Sequence, residues 1–198
     1  MIDGFLVTAT AFAERFVDRL FDLFAERGQR HYGEGVSQLD HALQTAHRAK
    51  LDGASPALIT AALLHDVGHL LQRLGEDAAD RGLESQHEKI GAGYLAKAFG
   101  PAVTEPVHRH VDAKRYLAAF EPGYIELLSP ASLQSLALQG GPMTAAEAEA
   151  FLNRPEAADA IRLRRYDEMG KVAGVEIEGL GAYRPLVLSQ VIDSASEG

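Results

Sequence analysis

A chain of 198 residues with no cysteine and a net charge of -9 excludes several function classes before any motif is considered. Disulfides, thiolate metal sites and a cysteine nucleophile are ruled out, so a metal would be held by nitrogen and oxygen, which suits Fe, Mn, Zn or Mg. The acidic balance, with a pI near 5.3, argues against nonspecific nucleic-acid binding yet leaves room for an anionic small substrate in a locally cationic pocket.

The length fits a single domain, residues 1–198, with a metal-site core over about 31–171 and a C-terminal tail over 175–198. No apolar run approaches the ~18–20 residues of a membrane span, and the first residues lack a basic leader and a cleavage pattern. A cytoplasmic protein with no nucleic-acid or membrane partner is expected. Its oligomeric state is not legible.

In chain order, Phe12, Phe16, Leu20 and Phe24 recur every four residues and predict a core-facing helix over about 10–27, closed by Gly28. A glycine-bearing loop follows, His31-Tyr32-Gly33-Glu34-Gly35. Ser37, with Asp40 three residues on, caps a helix running to about Leu51. Ser55-Pro56 is a cap followed by proline at the first helical position. Residues 57–74 are apolar almost all round and predict one central buried helix.

A polar acidic loop leads to a helix over 84–99, and Pro101 opens another reaching about Phe120. Pro122 and Gly123 read as a linker, residues 130–138 as a short helix, and Thr144 with Glu147 as a capping box. Pro155 starts a helix to about Lys171, and only residues 175–177 carry strand-like alternation. The expected fold class is all-α, a single helical bundle.

The chemistry centres on His65-Asp66 at the end of the apolar helix, with His69 one turn later. His65 and His69 share a helical face, and Asp66 and His69 are also neighbours. His65 and Asp66 diverge by about 100° around a helix axis, so both reach one centre only near a helix end. On its own the dipeptide leaves coincidence open. His41, His87 and His110 in three other helical segments, with Asp167 in a late one, supply enough nitrogen and oxygen donors for two metal ions. His47 lies about 600° around the helix from His41 and points away; His108 also faces elsewhere. Arg115, Arg164 and Arg165 either orient carboxylates or line a surface.

The order His41, His65-Asp66, His87, His110, Asp167 resembles the ligand order of HD-domain proteins with a dinuclear site. Longer strings are similar to the PhnZ- and TmpB-type HD-domain mixed-valent di-iron oxygenases. They are Gly33-Glu34-Gly35-Val36-Ser37-Gln38-Leu39-Asp40-His41-Ala42-Leu43-Gln44, His110-Val111-Asp112-Ala113-Lys114-Arg115-Tyr116-Leu117, Ser132-Leu133-Gln134-Ser135-Leu136 with Gln139-Gly140-Gly141, and Leu163-Arg164-Arg165-Tyr166-Asp167.

The resemblance implies an HD-domain bundle and an Fe(II)/Fe(III) pair held by His41, His65, Asp66, His87, His110 and Asp167, with Asp66 shared between the irons. It implies O2 as co-substrate and oxidative cleavage of the C–P bond of a 1-hydroxyphosphonate to a carboxylic acid and inorganic phosphate. The substrate class would be the 2-amino- or 2-trimethylammonio-1-hydroxyethylphosphonates. Lys114, His69 and Ser132 would contact the phosphonate, and Glu34 a substrate ammonium group.

The pattern departs from the family at one place. The position three residues before the glutamate, a tyrosine in PhnZ-type proteins that can plug the vacant iron site, is His31 here, and Tyr32 is displaced by one. Either ring could serve as the plug, or the gate could be absent. An HD-type phosphohydrolase, in which metal-bound water attacks a nucleotide or another phosphate ester, is the competing enzyme class. A degenerate, ligand-binding HD module is a third.

Overall fold

The apolar stripe of the first segment forms α1 (Asp3–Arg27) in the computed structural model, which describes residues 3–31, 35–72, 82 and 84–192. Phe16, Leu20 and Phe24 are buried along it, and Phe12 packs partly buried against the same core. Phe16 reaches across to stack on Tyr94 at 5.3 Å between ring centroids.

Next come α2 (Gln38–Leu51) and α3 (Pro56–Leu64). Each begins with a serine cap: Ser37 Oγ accepts from Asp40 N–H, and Ser55 Oγ accepts from Leu58 N–H. Helix α3 is buried from Leu58 to Leu64, as its continuous apolar sequence requires.

The predicted single helix over 57–74 is broken. Helix α3 ends at Leu64, and α4 (Val67–Leu71) begins only after Asp66, whose backbone sits at φ -98, ψ 9. These angles lie in the bridge region, outside the helical well. The periodicity could not show this break, because both halves are apolar on every side. Residues 72–74 of that prediction lie outside α4, and 73–74 lie outside the described residues.

The helix expected over 84–99 is shorter: α5 (His87–Leu95) starts at His87, after Gln86 in the left-handed region at φ 46. Helix α6 (Pro101–Phe120) matches its expected bounds. The expected Pro122-Gly123 linker contains a four-residue helix, α7 (Tyr124–Leu127), preceded by Gly123 at φ 82. Helix α8 (Pro130–Leu138) and the capping box of α9 (Ala145–Leu152) match their sequence signals, Thr144 Oγ1 accepting from Glu147 N–H and Glu147 from Thr144 N–H. Helix α10 (Ala157–Met169) begins two residues after Pro155 and stops before Lys171.

The alternation at 175–177 forms no strand: the segment is irregular and leads into α11 (Leu180–Leu188). Three residues without a pairing edge cannot form a sheet. An isolated bridge, Phe99 to Val191, is the extent of β pairing among the described residues. The described chain is therefore all-α, as its periodicity predicts, and none of its described helices is long and apolar enough to cross a membrane.

Helices α2, α3, α6 and α10 pack on one another, and α4 and α5 close one end, with α5 also against α6. Gly68 and Gly91 permit this closure. A Cβ at Gly68 would stand 2.0 Å from the His87 carbonyl oxygen, and one at Gly91 would stand 3.2 Å from Gly68 N. These contacts hold α5 tightly against α4, beside the packed α2, α3, α6 and α10.

Candidate metal centre

The break at His65-Asp66 solves the geometric problem posed by the dipeptide. In a continuous helix the two side chains would diverge; here both turn inward, His65 with no exposed surface. Asp66 occupies the cap position of α4, but its side chain caps nothing. Its oxygens face histidines instead.

Those oxygens separate two pockets. Asp66 Oδ2 lies 3.6 Å from His41 Nε2 and 3.4 Å from His65 Nε2. Asp66 Oδ1 lies 3.3 Å from His87 Nε2 and 3.6 Å from His110 Nε2. Asp167 Oδ1 joins the first pocket, 3.3 Å from His41 Nε2. The six donors named from sequence therefore converge from α2, the α3–α4 break, α5, α6 and α10, with one carboxylate between two histidine pairs.

Each histidine has a fixed outer nitrogen. His41 Nδ1 lies 3.0 Å from the Gly170 carbonyl, His65 Nδ1 2.9 Å from that of Ala62, and His110 Nδ1 2.7 Å from that of Val107. His87 Nδ1 meets Ser85 Oγ at 3.0 Å. A carbonyl accepts only, so the Nδ1 of His41, His65 and His110 carries the proton, and in the neutral ring Nε2 presents its lone pair. Within each pocket the inner nitrogens meet: His41 and His65 Nε2 are 3.2 Å apart, and His87 and His110 Nε2 are 3.0 Å apart.

Two ring nitrogens so close need a proton or a metal ion between them. Two nitrogens each about 2.1 Å from one ion, at a right angle, stand about 3.0 Å apart. The donor set thus fits a metal ion in each pocket. His41, His65 and Asp66 form one group whose ligand atoms lie within 4.8 Å of one another; Asp66, His69 and His87 form another. Outer-nitrogen hydrogen bonds of this kind orient metal-binding imidazoles and raise their basicity.

The charges are mutually supporting. Burial alone would raise the Asp66 carboxyl, but His65 and His87 hold it well below the usual carboxylate range. Burial is likewise overcome at Asp167, by Arg164, Lys171 and His41. Burial and the nearby His87 push the His110 imidazole well below its ordinary value. Both carboxylates are therefore ionised and His110 is neutral, the protonation states that bind a cation.

The residues expected beside the metals also gather, in part. His69 stacks on His87, ring centroids 4.0 Å apart and planes within 16°. Burial, then His87, lower its pKa to about 3. Lys114 is buried, 3% exposed, which removes the alternative of a solvated surface lysine. Its Nζ donates to Ser135 Oγ at 2.8 Å, and Ser135 Oγ donates to the Ser132 carbonyl. Ser132 is buried too, and its Oγ accepts from Lys171 Nζ at 2.9 Å. Burial, then Arg164, push the Lys114 ammonium well below its usual range, with Asp167 pulling the other way.

His31 is exposed at the end of the loop after α1. Tyr32 and Glu34 lie outside the described residues, so the gating and ammonium-binding roles read for them have no structural description. His47 and His108 belong to neither pocket and are both half-buried.

Several supporting residues were not singled out from sequence. Lys171 lies one turn beyond Asp167, 3.5 Å from its Oδ1, a spacing that places both on one side of the chain. Gln44 pairs with both backbone groups of Val172, donating to its oxygen at 2.8 Å and accepting from its nitrogen at 3.0 Å. This pairing pins the segment that carries the Gly170 carbonyl and Lys171. Gly170 is required there, since a Cβ would stand 2.5 Å from Thr45 Oγ1 and 3.3 Å from His41 Nδ1. Tyr124, from the helix hidden in the expected linker, accepts from Arg164 Nε at 2.9 Å. No periodic signal marks either Gln44 or Tyr124.

An all-α bundle with a histidine–aspartate break at its centre and two facing histidine pockets defines an HD-domain metal centre. An HD-domain family model matches residues 39–119. The chain is 47% identical over 174 residues to hydroxymethylphosphonate dioxygenase of Gimesia maris, covering 87% of each chain. It is 39% identical over 176 residues to 1-hydroxy-2-(trimethylamino)ethylphosphonate dioxygenase (glycine-betaine-forming) of Leisingera caerulea, covering 88% of this chain and 90% of the relative. An uncharacterized protein of Acanthamoeba polyphaga mimivirus is 33% identical over 184 residues, covering 91% of this chain and 84% of the relative. The chain belongs to the PhnZ-like HD-domain family of hydroxyphosphonate dioxygenases, enzymes that use a metal centre and O2.

Proposed function

We propose that this enzyme cleaves the C–P bond of a 1-hydroxyphosphonate with O2, giving a carboxylic acid and inorganic phosphate. The carrying observation is Asp66, whose two oxygens each face a separate histidine pair beside a buried cluster of cations. Two dioxygenases of this substrate class align with the chain over most of its length.

In this proposal His41, His65, Asp66 and Asp167 hold one ion, and His87, His110 and Asp66 hold the other. The ions are an Fe(II)/Fe(III) pair; when bound they supply the electron transfer to O2 and a Lewis-acidic seat for the substrate. The protein's own contribution is position and charge. Lys114, Lys171 and the Ser132 hydroxyl surround the phosphonate and offset its charge, and burial keeps water from that contact. His69, neutral at pH 7, adds a polar ring atom beside His87 without adding charge.

The overall reaction balances without another reductant: hydroxymethylphosphonic acid plus O2 equals formic acid plus phosphoric acid. Glu34 is proposed to bind a substrate ammonium group, and His31 or Tyr32 to close the vacant metal position.

The test is to incubate the iron-loaded protein with hydroxymethylphosphonate, 2-amino-1-hydroxyethylphosphonate and its N-trimethyl analogue. Phosphate and a carboxylate formed with one O2 consumed per turnover is the expected outcome. Relative rates then assign the cation preference, and Glu34→Gln should slow only the ammonium-bearing substrates. Phosphate release that continues without O2, or release from nucleotides alone, would sink the oxygenase reading in favour of a phosphohydrolase.

A further inference from the structure

The outer hydrogen bonds of the four inward histidines are not equivalent. His41, His65 and His110 each point Nδ1 at a backbone carbonyl, which accepts only. His87 points Nδ1 at the Ser85 hydroxyl, 3.0 Å away, and a hydroxyl both donates and accepts. If Ser85 accepts, the proton sits on Nδ1 and Nε2 is left for a metal. If Ser85 donates, the proton sits on Nε2, which lies 3.0 Å from His110 Nε2 and 3.3 Å from Asp66 Oδ1. The second pocket then has a neutral closed form, with His87 Nε2–H donating across it to His110 Nε2. The first pocket has no such form, because a proton between His41 and His65 makes one ring an imidazolium.

A buried acid stands where it can decide between the two tautomers. Glu88, the second residue of α5, is 5% exposed. Its Oε2 is buried with no hydrogen-bond partner among the described residues and lies 3.8 Å from His87 Nδ1. A carboxylate oxygen at that place attracts an N–H at Nδ1 and repels a lone pair there, and burial strengthens the preference. Ser85 is held beside the same ring. Gln72 Nε2 donates to its carbonyl at 2.7 Å, and Gln86, which joins it to His87, takes the left-handed conformation at φ 46.

We propose that Glu88 is a positioning residue that holds His87 in its Nδ1-protonated form, so that the second pocket takes a metal ion in place of its own internal hydrogen bond. The inference rests on the reading that His87, His110 and Asp66 hold the second ion. That pocket offers three donor atoms, against four in the first, so one blocked nitrogen costs it proportionally more. A carboxylate beside the outer nitrogen of a metal-binding imidazole also orients the ring and raises its basicity. The two ions are therefore unequal: the second depends on Glu88 and the first does not.

The experiment compares full-length wild type with Glu88→Gln, which keeps the shape and removes the charge, and Glu88→Asp, which keeps the charge on a shorter stem. Iron(II) per chain is measured anaerobically across a range of buffered free iron, beside thermal melts. Glu88→Gln is expected to bind its first ion as wild type does and its second about 10–100-fold more weakly. Glu88→Asp is expected to recover part of that loss. Nitrogen NMR of the histidine-labelled chain carrying one equivalent of zinc reads the proton on His87. It is expected on Nδ1 in wild type and on Nε2 in Glu88→Gln.

Second-ion affinity equal to that of wild type, or His87 still protonated at Nδ1 in Glu88→Gln, would overturn the proposal. So would parallel weakening of both ions, which would make Glu88 a support for the fold. Should Glu88→Gln fail to fold, wild type and Glu88→Asp decide. A wild-type His87 protonated at Nε2 would overturn the proposal; Nδ1 protonation, with Glu88→Asp losing second-ion affinity alone, would sustain it. If wild type takes a single ion at every iron concentration, the two-ion reading has failed. The proton on His87 still decides the role of Glu88.

Discussion

Each inward histidine engages its Nδ1 with an outward oxygen, and that single habit determines what the centre can hold. The carbonyls of Gly170, Ala62 and Val107 and the hydroxyl of Ser85 select the ring nitrogen left for a metal. None of these acceptors carries a distinctive side-chain signal, so the sequence displays the ligands without the atoms that aim them. Lys114 shows the same division. Its spacing from His110 is plain in the sequence, but its burial follows from α6 packing against α10. Desolvation makes the ammonium costly in the folded protein, and Ser135 keeps a partner without it through the Ser132 carbonyl. Lys114→Met should therefore leave the substrate-free thermal midpoint at or above that of wild type. The same substitution should raise KM for a hydroxyphosphonate about 30–160-fold, the loss of one charged hydrogen bond of about 2–3 kcal/mol. Steady-state kinetics beside thermal melts checks both; a lower midpoint with unchanged KM would assign Lys114 a purely structural role.

At the scale of elements, caps were legible and breaks were not. Ser37, Ser55 and Thr144 announce helix starts by side-chain chemistry confined to one turn, and the structure places caps at all three. The break at His65-Asp66 leaves no such mark, because it is imposed by α5 closing on α4 through Gly68. Gly68→Ala should accordingly cost about 2–4 kcal/mol of stability, since its Cβ would collide with backbone that cannot move cheaply. Metal held by His87 and His110 should fall with it, as metal analysis beside chemical denaturation will show. The start of α9 carries a pH signature. Glu147, bonded by the Thr144 N–H and by Arg115, is lowered to about 2. A carboxyl lowered in the folded state stabilises it above the unfolded value near 4.5 and loses that contribution as pH falls towards 2. Glu147→Gln should therefore reduce the thermal midpoint at pH 7, and the difference from wild type should narrow below pH 4.5 and vanish near pH 2. A gap that persists unchanged at pH 2 would show that ionisation is not its source.

For the whole molecule, the centre is where five segments meet, so metal binding and folding are linked. The nitrogen and carboxylate donors of both pockets are brought together only in the folded chain, so an ion bound there stabilises the closed bundle. At free metal about 100 times Kd, one site should add about 2.7 kcal/mol and raise the midpoint by about 5–11 °C for a chain of this size. A chelator should reverse the gain; equal melting with and without metal would contradict the pocket assignment.

What the sequence determined by itself was the helical class, the helix caps and the identity of the six candidate ligands. The first two depend on periodicity and on contacts within one turn; the candidate ligands were read from the histidine–aspartate order and its resemblance to dinuclear HD-domain proteins. Only the tertiary structure decided that Asp66 faces both histidine pairs, that Lys171 and Ser132 meet, and that Arg164 and Tyr124 brace Asp167. These pairings join residues 39 to 44 positions apart for Ser132–Lys171, Tyr124–Arg164 and Tyr124–Glu168. Such contacts form only when helices pack, and no local pattern of charge or hydrophobicity encodes which helices will do so.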